Sequence, residues 1–454
     1  MRYLVVDPDG TALGFARRLL DEGAEVMLYT HPSWQRDVGL NLVPKISSLH
    51  AGLAWCKSKP GSIAFFTASG MGKAKAAAKR DDGVPVGADE FRKAGVTVVG
   101  GGSFCDRLEK DRAFGQQLAQ AIGAREPVTK EFSSISQAIA FIKTRGDESW
   151  YFKSDRYLGS DATHGGSAET MVKYLEGLRR ENGDRVANIM QKKVEGTALS
   201  TACWWNGQTF LTPFEGTIEH KAAWNEDIGP STGAAISAVW FYESQEPKVV
   251  RSLHWENLEP FFRKYDAPPG LYDINAIIAK DDGEAYYLEW TPRLGFDSEP
   301  ASLRLLDIPL ADFLERLARG RLEAAPFSTK DHLGFNTRLS VPPYPWEGCT
   351  QDKGSAKGVS IEGIDGLWDG DFWAYSVMMN DEGDLEVADR WGLVGLSQAF
   401  GRSLKECNAH AVQYAKKTLK AAGLSFRTDG DKAIGADAEA LKKLGYDLPG
   451  TLFR

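Results

Sequence analysis

Cysteine is scarce. The chain has five cysteines in 454 residues: Cys56, Cys105, Cys203, Cys349 and Cys407. They lie far apart without a CxxC pair, which argues against a disulfide framework and against a thiolate zinc site. Histidine is equally thin, with seven residues and no HExxH, so no histidine metal centre is announced. No apolar run approaches the roughly 20 residues needed to cross a bilayer. The opening MRYLVVDPDG has neither the basic nor the apolar block of a secretory leader, and the expected compartment is the cytoplasm. Positive charge is also in deficit. A net charge of −8 and an isoelectric point near 5.6 leave no basic field to hold a nucleic-acid backbone, and nucleic-acid binding is not expected as the main role.

What is present suits a large folded protein. Hydrophobic residues make up 43% and charged residues 26%, close to the average for globular chains, and the length suggests about three domains. RYLVVD, a glycine-containing turn, the amphipathic FARRLLDEG and then AEVMLYT spell strand, helix, strand. SIAFFTASG and GVTVVGGG are further short apolar runs ending in glycine-rich turns, as parallel strands do at the carboxyl edge of an open α/β sheet. ASGMGK (68–73) is not a phosphate loop, because Thr67 stands where the first glycine belongs and Ala74 where Ser or Thr belongs.

Helices are predicted over 108–123 and 133–144, the latter with Ser133 and Ser134 as possible caps. A strand (149–155) then runs into the glycine-rich loop YLGSDATHGGS (157–167), followed by a helix (169–180) and a strand (187–194). Small residues in such a flap let backbone N–H groups approach phosphates. Strands LSTACWW and QTFLTPFEG precede an irregular stretch around 224–232. The segment 270–293 reads as a hairpin turning at Asp281-Asp282-Gly283, on which Asp273 and Glu289 can share a face. From about 325, short strands and a long amphipathic helix (403–423) suggest a separate α+β domain. Taken alone, Lys153 reads as a rim charge, Glu289 as the polar face of a hairpin, His164 as a solvated loop residue, Gly229 and Gly233 as turn formers, and Trp204 and Trp205 as core.

Three ordered segments change that reading. VTVVGGGSFCDRLEKDRAFGQQLAQAIGA (96–124), EHKAAWNEDIGPSTGAA (219–235) and LEWTPRLG (288–295) resemble, in order and spacing, the signature segments of the ATP-grasp ligases. Phosphoribosylamine-glycine ligases of purine biosynthesis are the most similar group, and their closing segment is matched by GLVGLSQAFGRSLKECNAHAVQYAKKTL (392–419). The resemblance implies an ATP-grasp fold of mixed α/β and α+β class. It divides the chain into an N-terminal doubly wound parallel α/β domain (1–103), an ATP-grasp domain (104–324) with a flap subdomain at about 125–195, a C-terminal α+β domain (325–430) and an extra tail (431–454).

It also implies an ATP-dependent C–N ligase joining a carboxylate such as glycine to a phosphoribosylamine-like amine through an acyl phosphate, releasing ADP and phosphate. ATP and Mg²⁺, with Mn²⁺ as an alternative, are the implied cofactors. Small molecules are the implied partners, and monomer and dimer both stay open. By the same resemblance, Arg112, Lys153, Gln191, Lys193 and Val194 contact ATP. Lys153 and Arg293 act on the transferred phosphoryl group, and Lys221, Gly229, Pro230, Ser231, Thr232, Gly233 and Arg293 bind substrate. Glu289 and Thr291 hold metal, with Asp273 at a position where other ATP-grasp enzymes carry a metal aspartate. Such a reaction presses one anion against another, so cations and a divalent metal are physically required.

Departures from the family pattern cluster at the ligand positions. Thr291 replaces the metal asparagine, Ala198 stands where an acid would meet the ATP ribose, Ala222 replaces an arginine, and the flap sequence is changed. The alternatives are a ligase acting on another amine, such as a modified nucleotide, and a nucleotide-binding scaffold without catalysis.

Overall fold

The computed structural model describes residues 1–31, 33–72, 86–154, 163–329, 332–346 and 355–454. Four parallel strands form the first layer: β1 (Arg2–Asp7), β2 (Glu25–Thr30), β3 (Ile63–Phe66) and β4 (Thr97–Val99), in the order β2-β1-β3-β4. Their near-continuous apolar character follows from burial on both faces. Helix Leu13–Asp21 packs Leu13, Phe15, Ala16 and Leu19 on one side, and Phe91 and Cys56 lie in the cluster on the other.

A second, antiparallel sheet of four strands follows, comprising β5 (Thr129–Phe132), β6 (Ser149–Ser154), β7 (Thr163–Ser167) and β8 (Asn188–Lys192), in the order β5-β8-β6-β7. Helices Ile135–Ile142 and Ala168–Asn182 cover one face through Ile135, Ile139, Met171 and Leu175. Ser134 caps the first of them by accepting a hydrogen bond from the Gln137 N–H.

The third element is an eight-stranded antiparallel sheet. It contains β9 (Gly196–Trp205), β10 (Phe210–Ala222), β11 (Ser231–Phe241), β12 (Gly270–Ala279), β13 (Ala285–Thr291) and β14 (Leu333–Ser340), and strands Leu393–Gly401 and Phe372–Ala374 continue it beyond β14. Alternation assigns the two faces. Tyr272, Ile274, Ala276 and Ile278 point into a core shared with helix Arg112–Ile122, whereas Leu271 packs toward the parallel domain.

Several expectations are corrected. The helix expected over 108–123 is two, Ser103–Lys110 and Arg112–Ile122, broken at Asp111, whose carboxylate accepts from the Phe114 N–H and caps the second. Part of the expected flap loop is strand β7, with His164 stacked on Tyr174 at 4.0 Å. Residues 155–162 of that flap, and Lys73 and Ala74 of the rejected phosphate loop, lie outside the described residues. The strand expected to reach 194 ends at Lys192, the helix expected to reach 423 ends at Lys417, and β11 was not foreseen.

The segment expected as a separate domain from 325 has a four-stranded sheet of its own, Val377–Met379, Leu385–Val387, Ser360–Glu362 and Lys420–Ala421, but also contributes strands to the long sheet. β14 pairs with β11 through Ile236 and Thr337, so the long sheet crosses that boundary. The segment 431–454 is not an appendage either, because helix Gly430–Lys443 buries Ile434, Ala438 and Leu441 against the same core.

Candidate active site

The face of the long sheet opposite the Tyr272 core carries polar residues at every second position. On β10 these are Glu215, Thr217, Glu219 and Lys221; on β12, Asp273 and Asn275; on β13, Glu289 and Thr291; and on β9, Ser200. Together with Arg293 and Gly233 they line a cavity of about 190 Å³. Strand register accounts for the grouping: Asp273 lies opposite Thr291, Asn275 opposite Glu289, and both β12 residues border β9 at Ala202 and Ser200. The Asn275 amide donates to Asp273 and to Thr291 Oγ1, each at 3.0 Å, and accepts from Ser200 at 2.9 Å.

Cations surround Glu289. Burial alone would raise its pKa, yet Lys221, Lys153, Arg112 and Arg293 together hold it below the ordinary carboxylate value. Lys153 comes from β6 of the flap sheet, with only 9% of its surface exposed. Burial pushes its pKa down to about 8 against the attraction of Glu289, and Arg112 and Lys221 add repulsion. Arg112 opens its helix beside a second cavity of about 510 Å³, between that helix and strands β5 and β8. The Arg293 guanidinium is steadied by Glu109 at 3.1 Å and stacks over Phe296 at 4.4 Å. Asp9, in the loop after β1, adds a carboxylate within electrostatic reach of Arg293 and Lys110.

Asp273 behaves oppositely to Glu289. Burial first, then the neighbouring Glu215 and Glu219, drive its pKa well above the usual value. Its Oδ1 has no hydrogen-bond partner among the described residues. Among the described residues no three histidine, cysteine or acidic side chains converge as a protein-only metal cage. Magnesium does not need one, since one or two protein carboxylates plus substrate phosphates commonly suffice. An anionic Glu289 beside the Thr291 hydroxyl and the unpartnered Asp273 oxygen is a donor set that fits a hard divalent cation.

The remaining sequence candidates divide. Gly233, with φ +83°, lines the cavity. Gly229, with φ +90°, sits in the β10–β11 turn, where an added Cβ would meet the Trp224 ring at 2.2 Å; Gly229 and Pro230 are not among the cavity-lining residues. Ser231 begins β11, and Thr232 Oγ1 donates to the Lys221 carbonyl at 2.9 Å. Gln191 donates to Thr129 at 3.3 Å. Lys193 is paired with Glu195 at 2.6 Å, and Val194 lies in the linker between the small and the long sheet. Trp204 and Trp205 are buried core residues, as expected.

Glu215, Asn275, Asp9 and Glu109 were not anticipated. Polar residues at 215, 217, 219 and 221 form a period-two signal that pointed to Glu215. Nothing local marked the others.

No family model matches the sequence. It is 23% identical over 359 residues to the phosphoribosylamine–glycine ligase of Halalkalibacterium halodurans, covering 77% of this chain and 80% of that one. It is 23% identical over 267 residues to the same enzyme of Leptospira interrogans, covering 57% of this chain and 62% of that one. The phosphoribosylamine–glycine ligase structure from Thermotoga maritima superposes with a TM-score of 0.71 at 18% identity, covering 94% of this chain and all of that one. The chain thus has the ATP-grasp fold, as a divergent relative resembling the phosphoribosylamine–glycine ligases.

Proposed function

We propose that the protein is an ATP-dependent carboxylate–amine ligase working through an acyl phosphate. The observation that carries this reading is the convergence of four cations, Lys153, Arg112, Lys221 and Arg293, on the one anionic carboxylate Glu289 at a polar cavity. A cavity so lined suits a triphosphate better than it suits an apolar ligand. ATP lies between the flap sheet and the long sheet, near Lys153, Gln191 and the Lys193–Val194 linker. Glu289 and Thr291, with Asp273 as the third donor, would hold Mg²⁺, which would supply charge neutralisation to the phosphates.

The protein's own groups do the rest. Lys153, desolvated and with a lowered pKa, places its ammonium against the phosphates, and Arg112 adds charge from the helix opening. Arg293, oriented by Glu109, stabilises the phosphoryl group as it moves to the substrate carboxylate. Lys221 and the backbone from Ser231 to Gly233, with Gly229 and Pro230 shaping the turn, position the substrates. Glycine and a phosphoribosylamine-like amine are the substrates implied by the relatives' names. Ala222, where those enzymes carry an arginine, favours a different amine.

The test is ADP and phosphate release from the purified protein with ATP, Mg²⁺ and panels of amino acids and amines. Release that requires both a carboxylate and an amine supports the ligase. ATP binding without release under every combination would establish a non-catalytic scaffold instead.

A further inference from the structure

Two carboxylates that line the cavity, Glu215 and Asp273, and a third close to them, Glu299, form no ion pair among the described residues. Glu215 (2% exposed) and Glu299 (0% exposed) lie within electrostatic reach of each other and of Asp273. Among the described residues Glu215 accepts only from two hydroxyls, Thr217 at 3.2 Å and Ser302 at 2.6 Å. Neither oxygen of Glu299 has a hydrogen-bond partner among the described residues. Glu299 and Ser302 are three residues apart on helix Ser298–Leu303, hence on the same face, and Ser302 bonds Glu215 directly. That places the unpartnered Glu299 carboxylate behind the Glu215 wall of the cavity.

Buried carboxylates left unpaired are costly to the fold, and carboxylates crowded together are costlier still. A cation from outside resolves both costs. The cavity far exceeds the 10–15 Å³ or so that admits one water. It is also polarised, with Lys221 and Arg293 lining the same space as the Glu215 and Asp273 carboxylates.

We propose that this acidic side binds the ammonium or guanidinium end of the substrate, so that the acid being activated is a cationic amino acid whose carboxylate reaches Lys221 and Arg293. This deepens the ligase reading by naming the charge and class of its carboxylate substrate. Glu215 meets the cationic group directly, while Glu299 contributes its field from behind.

Calorimetric titration of the full-length protein, saturated with a non-hydrolysable ATP analogue and Mg²⁺, tests the assignment. L-lysine, L-ornithine and L-arginine are compared with glycine and with the uncharged isosteres norleucine and citrulline. The expected result is at least tenfold tighter binding of one or more of the cationic acids than of glycine and of the matching isostere. Glu215→Gln and Glu299→Gln should each cut that preference at least fivefold. Wild-type protein that binds norleucine as tightly as lysine and citrulline as tightly as arginine, or glycine as tightly as all three cations, overturns the proposal without recourse to any variant. The analogue's own Kd is measured separately: its loss with the lysine preference intact would remove the ligase reading while supporting the cation site.

Discussion

At the residue scale, the contrast between Glu289 and Asp273 decides the chemistry. The two carboxylates share one cavity, but four cations hold the pKa of Glu289 below the ordinary value while burial and acidic neighbours raise that of Asp273. Glu289→Gln is therefore expected to raise the Mg²⁺ concentration for half-maximal rate strongly, since a neutral oxygen replaces the anionic ligand. A superimposable Mg²⁺ titration would remove Glu289 from the metal. Thr291→Asn should lower that requirement if the hydroxyl is a ligand. If Asp273 carries the role instead, Asn at 291 brings little gain and Asp273→Asn is as damaging as Glu289→Gln. Lys153→Ala should reduce ADP-forming turnover by more than about tenfold, equivalent to ~1.4 kcal/mol of transition-state stabilisation. Unchanged kinetics in a folded variant would take Lys153 out of the site.

At the scale of elements, the placement of Arg112 depends on a break in a helix. Asp111 ends one helix and caps the next, so the Arg112 side chain emerges at a helix start beside the cavity between the flap and the body. Asp111→Ala is expected to lower stability by about 1 kcal/mol, the usual cost of a lost cap, and to weaken binding of an ATP analogue. If thermal unfolding shifts but analogue affinity does not, the cap is structural only. The contact of helix Ser298–Leu303 with β10 matters in the same way, because it presses Ser302 and Glu299 onto Glu215.

For the molecule as a whole, buried carboxyls tie stability to pH. Glu215 is pushed up to about 7 from an ordinary 4.5, by burial against the opposing hydrogen bonds of Ser302 and Thr217. The folded state therefore keeps a proton that the unfolded chain releases. The stabilisation is complete below about pH 4.5 and fades as pH rises through 7, by up to ~3 kcal/mol for this group. Chemical denaturation of ligand-free protein should show that decline, and Glu215→Gln should flatten it. An identical pH profile in the variant would contradict the assignment.

The segment after 430 is equally global in effect. Ile434 and Leu441 are fully buried, and at roughly 1.5–3 kcal/mol each their loss is comparable with a typical total stability of about 5–15 kcal/mol. A chain ending at residue 429 is expected to lose its cooperative melting transition. Retention of the full-length Tm would show the segment to be dispensable.

The sequence by itself determined the parallel first domain, the hairpin carrying Asp273 and Glu289, and the cap at Ser134. Each depends on alternation, turn residues or helix signals that act within a few neighbouring positions. The motifs at 96–124, 219–235 and 288–295 also pointed to the ATP-grasp fold. Tertiary structure alone decided the rest. Strand pairing between β11 and β14 joins positions a hundred residues apart, and no local period records it, so the crossing of position 325 by the long sheet was not legible. The charge state of each carboxylate was hidden for the same reason. Lys153 reaches Glu289 from another sheet, and Glu299 reaches Glu215 from a helix more than eighty positions away. An ionisable group takes its pKa from what folding brings beside it and from how much water folding removes, and neither is written in its sequence neighbours.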